Sequence, residues 1–85
     1  MSRLAQIVRD QGGRCFYCGV RILPSQTKRR RHGAKLATTD HYIPIAEGGM
    51  AVRSNEVAAC GPCNNLKADM MPEVFLALYP NGAER

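Results

Sequence analysis

Cys60-Gly61-Pro62-Cys63-Asn64-Asn65-Leu66-Lys67 is the stretch on which the fold turns. Two cysteines with two residues between them can aim both thiolates at one ion about 2.3 Å away. An earlier pair, Cys15-Phe16-Tyr17-Cys18, repeats the spacing. Together Cys15, Cys18, Cys60 and Cys63 predict a closed tetrahedral Zn²⁺ site with no open position, which makes the metal structural. Between Cys18 and Cys60 lie 41 residues, too many for a compact ribbon, so a sizeable insert is held between the pairs. A thioredoxin-like redox motif or disulfides would use the same cysteines, but neither suits a small chain lacking a βαβ pattern.

Zinc also answers a shortage. At 85 residues the hydrophobic core is marginal, and chains of this size usually carry a staple. The longest apolar run, Val74 to Tyr79, is far short of the roughly 20 residues of a membrane span. Arg3 and Arg9 leave five residues between them, too few for the apolar part of a signal peptide. These readings predict a cytoplasmic chain without a membrane partner, in a reducing compartment that favours metal over disulfides.

Charge is unevenly placed. The net charge is +5, but residues 1–35 carry +8 and residues 36–85 carry −3. The run Lys28-Arg29-Arg30-Arg31-His32 concentrates the positive half and predicts contact with a polyanion, if a phosphate-handling site lies nearby. Its alternative is a solvated loop.

Local patterns supply the elements. Ser2 to Gln11 reads as a helix, with Ser2 as cap, Leu4, Ile7 and Val8 as apolar stripe and Gly12-Gly13 as stop. Cys15 to Gly19 reads as a tight turn, Val20 to Leu23 and Leu36 to Tyr42 as strands, and Pro44 to Ser54 as a loop. Val57 to Ala59 is a further strand. Helices are expected over Pro62 to Met71 and Glu73 to Tyr79, with Pro72 between them. Asp40 and His41 are adjacent on an extended segment, so their side chains alternate. One can hold a metal while the other addresses a water beside it, and an imidazole suits a general base.

The string Cys15-x-x-Cys18, Asp40-His41-x-x-Pro44, Gly48-Gly49, Asn55, Cys60-x-x-Cys63-Asn64-x-x-Lys67 resembles the HNH endonuclease family over roughly residues 14–70. The likeness is to its small free-standing members of phage and bacterial type with a four-cysteine zinc site. It implies an α+β fold: a ββα-metal (His-Me finger) core over about 36–71 with flanking short helices, a basic loop over about 24–35, and one domain over 1–85. The implied activity is metal-dependent hydrolysis of phosphodiester bonds in DNA, double-stranded DNA favoured, giving 5′-phosphate and 3′-hydroxyl ends.

The resemblance also implies roles. His41 is the general base, and Asp40 and Asn64 hold a catalytic divalent cation. Asn55 shapes the loop and orients the base through backbone hydrogen bonds. Asn64 stands where the family name has its last His, and the resulting oxygen set favours Mg²⁺ or Mn²⁺. Asn65 is the weaker candidate for that position. Lys28, Arg29, Arg30, Arg31, Lys35, Arg53 and Lys67 are the expected phosphate contacts; for Lys67 and Arg53 the competing expectation is a solvated side chain. No long recognition helix is visible, so specificity is expected to be low or to come from a larger protein partner. The runner-up function is a catalytically inactive, zinc-stabilised nucleic-acid-binding module. A zinc-stapled protein-interaction domain comes third, since it leaves Asp40-His41 and the charge asymmetry unexplained.

Overall fold

A computed structural model describes residues 1–24 and 34–83. The basic run Lys28, Arg29, Arg30, Arg31 and His32 lies outside the described residues.

Helix α1 covers Arg3–Asp10, and Ser2 caps it through an Oγ that accepts from the Ala5 N–H (3.0 Å). Gly12 and Gly13 end it with φ of 69° and 76°, a conformation that costs a residue without Cβ little. Its apolar stripe buries Ile7 and Val8. The knuckle Cys15 to Gly19 follows, with Gly19 at φ 79° and its N–H bonded to the Cys15 carbonyl (3.1 Å).

A three-stranded sheet carries the rest, in the order β1 (Ile22–Leu23), β2 (Lys35–His41), β3 (Glu56–Cys60). The short β1 runs parallel to β2, and β2 pairs antiparallel with β3. That second register sets Ala37 against Cys60, Asp40 against Val57 and His41 against Glu56. Two single turns of 3-10 helix, Ile45–Glu47 and Arg53–Asn55, lie in the β2–β3 connection. Helix α2 (Gly61–Lys67) leaves β3 directly, with Pro62 in its first turn, and α3 (Pro72–Leu78) begins on a proline. The core collects Ile7, Val8, Ile22, Ala37, Ala58, Ala59 and Phe75 around three of the cysteines. This is a small α+β fold consistent with a ββα-metal core: two antiparallel strands, the loop between them, then α2.

The expected helix over Pro62 to Met71 is shorter than the pattern suggests. It stops after Lys67, because Ala68 takes φ 48° and ψ −125°. An alanine there is strained by about 1–3 kcal/mol, more than the unfolded-state entropy a glycine would add. Ala68→Gly should therefore stabilise the fold by about 1 kcal/mol, read as a higher urea midpoint at unchanged slope.

Candidate active site and zinc centre

The four cysteines converge. Their Sγ atoms all lie within 4.8 Å of one another, and Cys18 and Cys60 are 3.8 Å apart. A tetrahedron with Zn–S bonds of 2.3 Å has edges of about 3.8 Å, so the cluster has the dimensions zinc needs. Its environment suits thiolates bound to a cation. The Tyr17 and Cys60 N–H groups donate to Cys15 Sγ (3.4 and 3.3 Å), and the Ala83 N–H donates to Cys63 Sγ (3.2 Å). Burial pushes the Cys60 thiol up to about 11, with the nearby Cys15 charge adding to it. Cys63 moves the same way for the same first reason. Burial acts upward on Cys15 too, but backbone N–H donors outweigh it and leave this thiol lowered. Four sulfurs this close, three of them buried, repel as thiolates without a cation among them. The cluster is a candidate zinc site of soft, closed type.

Around the corner of the sheet, a cleft of about 250 Å³ is lined by Thr39, Asp40, His41, Pro44, Ile45, Asn64, Ala68 and Asp69. Strand β2 presents Asp40 and His41 side by side, and α2 brings Asn64 across. Asp40 is 5% exposed. Its Oδ2 accepts from Tyr17 Oη (2.6 Å) and lies 3.4 Å from Lys67 Nζ. Its Oδ1 accepts no hydrogen bond among the described residues, and Asp40 lines the cleft. Asn64 Nδ2 donates to Thr38 Oγ1 (2.9 Å) and the Thr39 carbonyl (3.2 Å), and Asn64 Oδ1 accepts no hydrogen bond among the described residues. Asp40 and Asn64 both line this cleft, and their side-chain oxygens are of the hard donor type that would fit Mg²⁺ or Mn²⁺.

His41 is one-third exposed, with Nε2 4.0 Å from Glu56 Oε2. Asn55 does not line the cleft. It clasps the loop that follows His41: Oδ1 accepts from the Ile43 N–H (2.9 Å), and Nδ2 donates to the carbonyls of Ile43 (3.0 Å) and Met50 (2.9 Å). Its own carbonyl accepts from the Tyr42 N–H (2.8 Å). Gly49 completes the clasp, since a Cβ there would stand 1.7 Å from the Ile43 carbonyl oxygen. Gly49→Ala should cost about 3 kcal/mol, because the obstacle is backbone that cannot step aside. Gly48→Ala, whose Cβ meets open space, should cost about half as much, and chemical denaturation of both variants checks the ranking.

A family model described as HNH endonuclease matches residues 15–69, a span that takes in both cysteine pairs and the whole cleft. The chain belongs to the HNH endonuclease family. No curated protein and no solved structure gives a match. Membership in the HNH family carries a nuclease-type function and a nucleic-acid substrate. Among the described residues no helix is long and apolar enough to cross a membrane.

Among the described residues, the expected phosphate contacts Lys35, Arg53 and Lys67 do not line the cleft. Lys35 lies beside the cysteines, lining a hollow with Cys18, Cys60 and Pro62. Arg53 sits by α1, donating to the Glu56 carbonyl (3.1 Å) and lying 3.5 Å from Asp10 Oδ2. Asn65, beside Asn64, is exposed and does not line the cleft. Lys67 is a correction to both readings made of it. It is neither a phosphate contact nor a solvated lysine, because it is 0% exposed and its ammonium is taken by Asp40 and by the His41 carbonyl (3.2 Å). Sequence reasoning also missed Tyr17 and Asp69. The only signal for Tyr17 was its place between two cysteines; a buried phenol needs a polar partner, but nothing named Asp40 as that partner.

Proposed function

We propose that this HNH protein is a metal-dependent endonuclease that hydrolyses phosphodiester bonds in DNA. The observation that carries the reading is the shared cleft: Asp40, His41 and Asn64 line one space, and Asp40 Oδ1 accepts no hydrogen bond among the described residues. Asp40 and Asn64 would hold the cation. When bound, it supplies positive charge to a phosphoryl oxygen and to the departing 3′ oxygen.

His41 acts on water. Its neutral imidazole accepts a proton as the water oxygen attacks phosphorus in line. The P–O3′ bond breaks, leaving a 5′-phosphate and a 3′ oxygen that takes its proton from solvent. Asn55 serves this step from a distance by fixing the chain just after His41, which holds the imidazole in place. Lys28, Arg29, Arg30, Arg31, Lys35 and Arg53 would bind backbone phosphates, giving sequence-tolerant and salt-sensitive affinity. Double-stranded DNA is the favoured substrate, and a larger protein would supply any specificity.

The test is conversion of supercoiled plasmid by zinc-loaded protein in Mg²⁺ or Mn²⁺. Nicking or linearisation should appear with the cation, stop on brief EDTA treatment that leaves zinc content unchanged, and return when Mg²⁺ is restored. DNA that is retarded but uncut would favour the inactive binding module. DNA neither bound nor cut would overturn both.

A further inference from the structure

Buried between the two metal-binding regions is a set of contacts that the hydrolysis itself does not use. Tyr17 belongs to the first cysteine knuckle, and its N–H donates to Cys15 Sγ. Its ring is buried edge-on against Phe75, with centroids 5.2 Å apart. From that anchored position its Oη donates to Asp40 Oδ2 at 2.6 Å, a short bond of the charge-assisted kind. Lys67, wholly buried, reaches the same Oδ2 from α2, and its Nζ lies 5.9 Å from the centre of the Tyr17 ring. A carboxylate held on one oxygen by a buried hydroxyl that donates to it and a buried ammonium ion-paired with it at 3.4 Å, from two different elements, cannot rotate freely. The other oxygen, Oδ1, accepts no hydrogen bond among the described residues, and Asp40 lines the cleft.

We infer that Tyr17 and Lys67 are positioning residues that lock the Asp40 carboxylate with Oδ1 presented to the catalytic cation, and that Tyr17 thereby ties this carboxylate to the zinc knuckle. The inference rests on Asp40 being a ligand of that cation. Two donors give the lock distinct parts. Lys67 also donates to the His41 carbonyl, so one ammonium fixes the backbone of the proposed base and the side chain beside it. Tyr17 fixes the carboxylate relative to the cysteines. Partners of ligating carboxylates typically change metal affinity or activity about 10–100-fold when removed.

Tyr17→Phe keeps the ring and deletes only the hydroxyl. Lys67→Met keeps the buried stem and deletes the ammonium. Each variant is taken with its zinc content measured, and Mn²⁺ binding is read by electron paramagnetic resonance without any DNA, next to the Mn²⁺ dependence of plasmid cleavage. Tyr17→Phe with full zinc should bind Mn²⁺ about tenfold or more weakly and need correspondingly more Mn²⁺ for half-maximal cleavage. Its rate at saturating Mn²⁺ should fall less than its affinity.

Asp40→Asn, which retains the shape and both donors, separates the two levels of the argument. Wild-type Mn²⁺ binding in Asp40→Asn would remove Asp40 as a ligand, and the proposed site with it. Weakened binding in Asp40→Asn together with unchanged binding in zinc-loaded Tyr17→Phe and Lys67→Met would overturn the positioning role alone. Should neither variant retain zinc, the wild-type protein decides. A Mg²⁺ titration followed by ¹³C NMR should shift Asp40 Cγ and Tyr17 Cζ with one midpoint, and a Tyr17 Cζ that stays still while Asp40 moves would overturn the proposal.

Discussion

Cys60→Ser should leave the chain unfolded at neutral pH, with or without added zinc. Cys60 is at the junction of β3 and α2, paired with Ala37 across the sheet and 3.8 Å by sulfur from Cys18. A bound zinc therefore closes a ring over the 41 residues between the pairs. By the chain-entropy argument for a cross-link, closing a loop of that length contributes about 4 kcal/mol. A domain of this size has a total stability of about 4–13 kcal/mol, so the ring closure alone matches the lower end. Zinc ligation in small domains contributes about 10–16 kcal/mol of apparent binding energy, which matches the upper part of that range or exceeds it. Core packing cannot replace such a term when its fully buried members include two alanines and two of the ligands themselves. Far-UV circular dichroism and zinc content measured on the same sample check this. A folded Cys60→Ser protein with the wild-type denaturation midpoint would show that the cluster is not what holds the fold. A strong chelator applied for long enough to strip the wild-type protein should reproduce the unfolding.

His41→Ala should abolish detectable cleavage, by about 10²–10⁴-fold, while zinc content and fold stay at wild-type values. The contrast with Cys60 follows from what the His41 side chain touches. Its imidazole lies 4.0 Å from Glu56, makes no hydrogen bond among the described residues and is one-third exposed. Glu56 is already bonded to Arg3 at 2.8 Å and loses nothing structural. The structural duty of position 41 is carried by its carbonyl, which accepts from Lys67, and alanine retains that carbonyl. The variant should therefore melt close to the wild type and still retard DNA. Plasmid cleavage at the wild-type rate by this variant would mean that another group takes the proton.

Much of this was legible in the chain because the signals are local. Ser2, Gly12-Gly13, Gly19 and Pro72 mark turns and caps that depend on their own backbone, and each falls where it was expected. The cysteine pairs announce their convergence by spacing. What escaped depends on neighbours far along the chain. Lys67 looks like any helix lysine until the β2–β3 register carries Asp40 beneath it, 27 positions away in sequence. Tyr17 finds Asp40 by the same pairing. The early end of α2 escaped as well, because Ala68 is a good helix former and carries no mark of its positive φ.

The outer side of β3 has a consequence for how copies of this protein can meet. As the last strand of the sheet, β3 would ordinarily offer a row of open backbone groups to another strand. Here the row is taken. The Glu56 carbonyl accepts from Arg53, and the Ala58 N–H and carbonyl are both bonded to the Gln11 side-chain amide, which stands in for a strand (2.8 and 2.9 Å). The Phe16 N–H shares the Ala58 carbonyl, and the Cys60 N–H is turned to Cys15 Sγ. Sheet extension through β3 is thus closed both to aggregation and to strand-mediated dimers. A pair of subunits that cut both strands of a duplex would have to associate through some other face.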